Sequence, residues 1–356
     1  LAERLKVGLI GCGRIAQYFH LQILSQSPAV NLVALAEADG ERLASARRVA
    51  PSAEGFEDYR GLLKRDDVEA VVICLPTGMH ADAATAAFSA GKHVYLEKPM
   101  ATDLAEADRV MVAWEASGKA GAIGFNYRFH SLFQDMKRRV ERGEIGELVG
   151  ARSVFSGAAQ DLLPWKQKRE TGGGVLLDLA SHHVDLVRYI FRQEIQEVSA
   201  QVRSVRSEED TASLVMRLSD GLLVQSFFSA SSVEEGRLEI YGTKGALRVD
   251  RYLTTRPEFT RPKRAYGKVE RLLRGFGVLG SSSRQLWKVL MPQTEPSYEA
   301  ALNSFVESVS QGKPMVADLR DGYRSLSIVL AAEASARSCG VVTVAVDAHE
   351  TPWRNH

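Results

Sequence analysis

At 356 residues, with 45% hydrophobic and 25% charged side chains, the chain has an ordinary soluble composition and enough length for two domains. A formal charge of +1 excludes a global field that would recruit nucleic acid or an acidic membrane, and no apolar run approaches the roughly 20 residues of a membrane span. Cys12, Cys74 and Cys339 lie far apart without CxxC or metal-type spacing, which predicts reduced thiols. No charged-then-apolar leader precedes Lys6, so the expectation is a cytoplasmic enzyme.

Up to Phe125 the chain alternates strand and helix signals. Lys6–Ile10, Leu32–Glu37, Ala70–Leu75, Lys92–Leu96 and Ala120–Phe125 read as short buried strands. Between them, Ile15–Leu24, Glu41–Val49, Ala81–Ala90 and Leu104–Glu115 carry apolar residues at helical spacing. Such alternation predicts a parallel sheet with right-handed crossovers.

Beyond Phe125 the pattern changes. A helix over Leu132–Arg142 and a strand over Leu148–Phe155 lead into a glycine-rich turn and a helix over Val175–Phe191. Strand-like runs follow at Val198–Val205, Ala212–Leu218, Leu222–Ala230, Arg237–Tyr241 and Ala246–Val249, with hairpin turns at 219–221 and 242–245. Helices over Tyr298–Ser310 and Leu319–Ser338 precede a last strand at Val341–Val346. Successive strands on short turns predict a largely antiparallel open sheet with helices on one face. The fold class is therefore α/β in two domains, 1–124 and 125–356, with no internal repeat. Residues 251–290 stand apart, with ten Lys/Arg against two Glu. They read as a solvated excursion, with an anionic-substrate lid, an oligomer arm or a membrane-surface contact as alternatives.

Gly11-Cys12-Gly13-Arg14-Ile15-Ala16 ends a strand and opens a helix. Gly11 permits a tight turn, Gly13 a close backbone approach to a pyrophosphate, and the helix start at Arg14 and Ile15 offers free N–H groups. Glu37 closes the second strand, where an acid accepts hydrogen bonds from ribose hydroxyls and repels a 2′-phosphate. NAD is favoured, with NADP as the alternative; Arg14 and Arg42 are the cations that bear on the choice. Glu37 could instead cap the next helix, although Asp39 is the better cap. Pro76, Thr77 and His80 leave the third strand and are expected to cover the cofactor, with a structural capping turn as the alternative for Thr77. Glu97-Lys98-Pro99 closes the fourth of these strands, so Lys98 faces the crevice where open α/β sheets hold ligands.

The glycine turn, Glu97-Lys98-Pro99, Gly124-Phe125-Asn126-Tyr127-Arg128 and Gly172-Gly173-Gly174 followed by Asp178, His182 and Asp185 occur in that order. Together they resemble the Gfo/Idh/MocA oxidoreductases over nearly the whole chain, 251–296 excepted. The resemblance implies a Rossmann domain, an antiparallel-sheet domain whose outer face builds homodimers or homotetramers, and a secondary alcohol of a sugar, cyclitol or nucleotide sugar as substrate. It places the family's lysine, aspartate and histidine at Lys98, Asp178 and His182, and implies a cis bond before Pro99.

Elementary chemistry gives these residues coherent roles. Asp178, His182 and Asp185 share one face of a regular helix. His182 is the expected general base, oriented by Asp178, while Lys98 stabilises the alkoxide and Glu97 steadies Lys98 or the cofactor. A lone histidine on a helix would ordinarily be a packing residue, and Asp with His four apart a helix pair or half a metal site. No third ligand accompanies them, so no metal is expected. His183 points away and reads as structural. Asn126, Tyr127, Arg128 and Trp165 are candidate substrate contacts, with a core or rim role equally open to Trp165; Lys166 and Arg169 are candidate ligands for a substrate anion. The alternatives to a dehydrogenase are an NAD-dependent glycosidase of the same fold and a noncatalytic sensor.

Overall fold

Six short strands build the first sheet of the computed structural model, which describes residues 4–158, 162–262 and 295–344. They are β1 (Leu5–Ile10), β2 (Val30–Ala36), β3 (Glu54–Phe56), β4 (Ala70–Ile73), β5 (His93–Leu96) and β6 (Gly121–Ile123), all parallel, in the order β3-β2-β1-β4-β5-β6. β4 (AVVI) is buried throughout, as a strand covered on both faces must be. The crossovers carry α1 (Leu21–Gln26), α2 (Gly40–Val49), α3 (Tyr59–Leu63), α4 (His80–Ser89) and α5 (Leu104–Ser117). Asp39 caps α2 by accepting from Arg42 N–H, as its position predicts. The order reverses between β1 and β4, and the carboxyl ends of those strands open the crevice where such sheets bind nucleotides. β3 and α3 were not anticipated, because three edge residues and one helical turn are too short to show a period.

After α6 (Ser131–Glu141) come β7 (Leu148–Ala158), α7 (Ser181–Phe191), β8 (Ile195–Arg203), β9 (Thr211–Leu218), β10 (Leu223–Ser229), β11 (Ser231–Gly242), β12 (Gly245–Asp250) and β13 (Glu258–Thr260). The helices α8 (Pro296–Gln311) and α9 (Leu319–Ser338) and the strand β14 (Val342–Thr343) follow. The second sheet runs β13-β12-β11-β7-β10-β9-β8-β14, antiparallel except for the β7–β10 pair. β9 shows the cause: Ala212, Leu214, Met216 and Leu218 are buried, while Ser213, Val215 and Arg217 between them face outward. β11 begins earlier than its apolar core predicts, across a bulge between Ser231 and Glu235 that its exposed acids conceal. The expected last strand at Val341–Val346 appears as β14, its residues past 344 lying outside the described ones; the basic stretch from 263 to 294 also lies outside them.

The return of α8 is the feature that a linear reading lacks. Its Ala301, Leu302, Phe305 and Val306 pack into the core of the first sheet, with Phe305 edge-on to Tyr95 at 5.7 Å. Ile123 N–H then donates to the Ala317 carbonyl, so late chain also braces β6. No helix among the described residues is long and apolar enough to cross a membrane.

Candidate active site

The glycine turn sits at the carboxyl end of β1. Gly11 has φ +87°, and a Cβ there would meet the Cys74 carbonyl oxygen at 2.7 Å, so no larger residue fits. A Cβ on Gly13 would meet nothing within 4 Å; that open space is what a pyrophosphate needs above the turn. Arg14 is exposed and Ile15 half-buried where the helix begins, as a wide π-turn over Ala16–His20 before α1. Glu37 follows β2 and accepts from Cys12 N–H at 2.7 Å and from Arg42 Nη2 at 2.8 Å. Burial works to raise its carboxyl, yet the hydrogen bonds from Arg42 and from the Asp39 and Cys12 N–H groups together outweigh it and hold Glu37 below its ordinary value. Burial, with Glu37 adding to it, pushes the Cys12 thiol up to about 12, so it is an inert neighbour.

Lys98 follows β5, and its bond to Pro99 is cis. Glu97 beside it is buried: one oxygen meets His20 Nε2 at 2.6 Å and the other accepts from Lys98 N–H at 3.3 Å. Glu97 thus fixes the turn from below. His80 is held in a similar way. Its ring nitrogens face the Pro99 and Leu75 carbonyls at 2.7 and 2.8 Å, tying two loops together inside the protein. Thr77 is buried against Gly172, whose Cβ would come within 2.6 Å of it, while Pro76 stays half-buried at the rim.

Across the crevice, Leu176–Ala180 forms a second π-turn that runs into α7. π-turns inside helices mark functional sites repeatedly. Asp178 lies in this wider turn and its carboxylate is held by two ammonium groups: Lys98 Nζ on Oδ1 at 3.0 Å and Lys166 Nζ on Oδ2 at 2.7 Å. Lys98 also donates to the Asp178 carbonyl at 2.7 Å. Burial alone would raise this carboxyl, but Lys166 and Lys98 together hold it far below the usual carboxylate range. Asp178 therefore orients lysines, not the imidazole of His182 as its spacing suggests.

His182 lies in α7 with its ring stacked on Tyr127 at 4.5 Å and 19°. Its Nδ1 is buried without a hydrogen-bond partner, which leaves Nε2 as the nitrogen through which a proton can pass. Burial, reinforced by the Lys98 charge, pushes the imidazole well below its ordinary value, so it is neutral at physiological pH. His183 is structural as expected, stacked on Phe155 at 5.1 Å.

Of the other candidate substrate contacts, several are internal. Arg128 is 3% exposed and forks onto Asp185 at 2.5 and 2.9 Å, with Asp321 at 2.9 Å on its remaining nitrogen. That network also removes Asp185 from the face expected to carry Asp178 and His182. Asn126 is buried and donates to Ser297 at 2.9 Å. Tyr127 serves as the floor under His182, its hydroxyl accepting from Arg251 at 2.7 Å. Arg169 binds Glu333 and the Thr102 carbonyl, so it is no free anion ligand. Trp165 is half-buried, and the Lys166 ammonium lies over its ring at 5.2 Å. Arg251, whose guanidinium stacks on Tyr127 and Phe155, is a part of the site for which no motif or spacing gave a signal. Among the described residues no three His, Cys, Asp or Glu side chains gather as a metal site.

Residues 5–125 match an "Oxidoreductase family, NAD-binding Rossmann fold", and residues 133–248 match the "GFO/IDH/MocA C-terminal domain". The oxidoreductase YrbE of Bacillus subtilis is 30% identical over 260 residues, covering 70% of this chain and 75% of that protein. The chain belongs to the Gfo/Idh/MocA oxidoreductases. It is 29% identical to myo-inositol 2-dehydrogenase of Thermotoga maritima over 343 residues, 93% of this chain and 96% of that one. The WlbA dehydrogenase of Bordetella pertussis, solved with NADH and UDP-GlcNAcA, shares the fold at a TM-score of 0.82, with 23% identity over 98% of this chain and 100% of that one. As a Gfo/Idh/MocA member the chain is an NAD-dependent oxidoreductase, and the open cradle above Gly13 fits that cofactor.

Proposed function

We propose that this oxidoreductase interconverts a secondary alcohol and a ketone on a sugar, cyclitol or nucleotide sugar, with Lys98 and His182 managing the proton. The observation that carries the reading is the junction of Lys98 with Asp178 beside a neutral, stacked His182, at the end of a sheet that binds NAD. Gly11, Gly13, Arg14, Ile15 and Glu37 hold the dinucleotide, with Pro76 at the rim. Bound NAD supplies the hydride acceptor or donor. The substrate hydroxyl gives its proton to His182 Nε2, and Lys98 donates a hydrogen bond to the oxygen as negative charge develops there. Asp178 keeps the Lys98 ammonium aimed, and Tyr127 keeps the imidazole plane fixed.

The relatives support the substrate class, one being a myo-inositol dehydrogenase and WlbA having a structure that holds a nucleotide sugar. Self-association through the outer face of the second sheet belongs to the same proposal; Val215 on β9 and Leu223 on β10 are exposed there at 39% and 45%. A screen of sugars, cyclitols and nucleotide sugars with NAD, read as NADH absorbance, tests the activity. Stoichiometric NADH and ketone support it, whereas a cleaved glycoside without net NADH would point to the glycosidase chemistry instead.

A further inference from the structure

A second space lies beside the reacting groups. Phe155, Ser156, Gly157, Ser229, Glu234 and Tyr252, with Leu179 and Ala230, line an open cavity of about 380 Å³ where the ends of β7, β10 and the bulged start of β11 meet. Leu179 and Ala230 also line a small pocket with Lys166 and Asp178, so the two spaces adjoin at the site itself. The far wall is likewise coupled to it. Phe155 is edge-on to Tyr127 at 6.0 Å, and Tyr127 carries His182.

We infer that this cavity is a subsite for a second sugar ring, so that the substrate is a neutral glycoside such as a disaccharide rather than a free monosaccharide. The inference rests on the function proposed above and narrows it. Its volume lies within the roughly 300–1,000 Å³ of small-molecule pockets, although the reacting groups lie outside it. Its chemistry is that of a sugar site: two aromatic walls, Phe155 and Tyr252, offer apolar faces to ring C–H groups. Glu234 is exposed at its edge as an acceptor for ring hydroxyls, and its charge acts on the Tyr252 hydroxyl. That hydroxyl accepts from Arg251 at 2.6 Å, which fixes the wall. A carboxylate lining the cavity, with no Lys or Arg among its described lining residues, disfavours a nucleotide diphosphate there and favours an uncharged ring.

The glycine in the lining supplies the test. A Cβ on Gly157 would meet nothing within 4 Å, so Gly157→Phe places a ring in the cavity without a steric clash at its root. Initial rates of NADH formation would be measured on maltose, cellobiose, sucrose and trehalose beside glucose and myo-inositol. The wild-type protein should have at least one disaccharide with kcat/KM about 10-fold above both single rings. Gly157→Phe should lose that preference, about 10-fold on the disaccharide, while single-ring kcat/KM stays within about 2-fold. Glu234→Ala, at an exposed position, should raise KM for the disaccharide and leave single-ring turnover unchanged; it keeps the test intact if the glycine variant fails to fold. Wild-type preference for single rings or for UDP-glucose, or equal losses on both substrate sizes, would overturn the subsite while leaving the hydride-transfer reading in place. Absence of NADH on every sugar tried would overturn both.

Discussion

Lys98 Nζ reaches across the crevice to two atoms of one residue, the Asp178 carbonyl oxygen at 2.7 Å and its Oδ1 at 3.0 Å. The ammonium comes from the first sheet and the acceptors from the π-turn before α7. The site is therefore complete only when both halves have folded and met, and the lysine is aimed before substrate arrives.

Removing that ammonium should cost chemistry and not cofactor. Lys98→Met is expected to lower kcat by about 10²–10⁴-fold. NADH affinity, measured by fluorescence titration, should change by no more than about 1 kcal/mol. Near-normal turnover would remove Lys98 from the mechanism.

In the proposed mechanism the depressed His182 imidazole sets the pH profile. Only its neutral form accepts a proton, and burial with the Lys98 charge places its protonation well below the ordinary 6.5. In the oxidation direction, kcat/KM should stay level as pH falls through about 6.5 and decline only in more acid solution. His182→Ala should lose about 10²–10⁴-fold in kcat. A wild-type limb centred on the ordinary histidine value would contradict the assignment.

Arg128 should behave as an internal strut. Arg128→Met takes two charge-assisted hydrogen bonds from the buried Asp185 and one from Asp321, leaving Arg188 at 3.7 and 3.3 Å as their shared cation, and denaturant unfolding should show a loss of about 3 kcal/mol. Substrate KM of the folded variant should be unchanged. Unchanged stability with a raised KM would return Arg128 to the substrate.

Glu37 occupies Arg42, whose side chain is half exposed beside the nucleotide crevice. Glu37→Ala releases that guanidinium from its nearer carboxylate, with Asp39 still at 3.5 Å, and removes a negative charge, so NADP affinity should rise about 10-fold or more while NAD affinity falls. Calorimetric titration of each nucleotide decides it; weaker binding of both would show that Glu37 serves the loop alone.

Acid should unfold the protein through its buried histidines. Burial, aided by Arg251, lowers His183 to about 3. Between that value and about 6.5 the unfolded chain binds a proton that the folded one does not, so stability falls as pH falls, by up to about 1.4 kcal/mol per pH unit from this group. His183→Phe, which keeps a ring against Phe155, should flatten the slope of unfolding free energy with pH by about one proton. An unaltered slope would place the acid sensitivity elsewhere.

The strand–helix alternation, the glycine turn, the change to antiparallel strands after Phe125 and the placing of Lys98 at a strand end were all legible in the chain itself. Each depends on a local period or on backbone freedom, which neighbouring residues determine. Which charges meet was not legible. Spacing on a regular helix pairs Asp178 with His182, yet a π-turn and two lysines from other segments claim the carboxylate. Arg128 looks in sequence like a cleft residue and becomes an interior one because Asp185 and Asp321 converge on it. Burial decides such cases: a charge removed from water must find a partner, and only the assembled tertiary structure determines which partner is within reach.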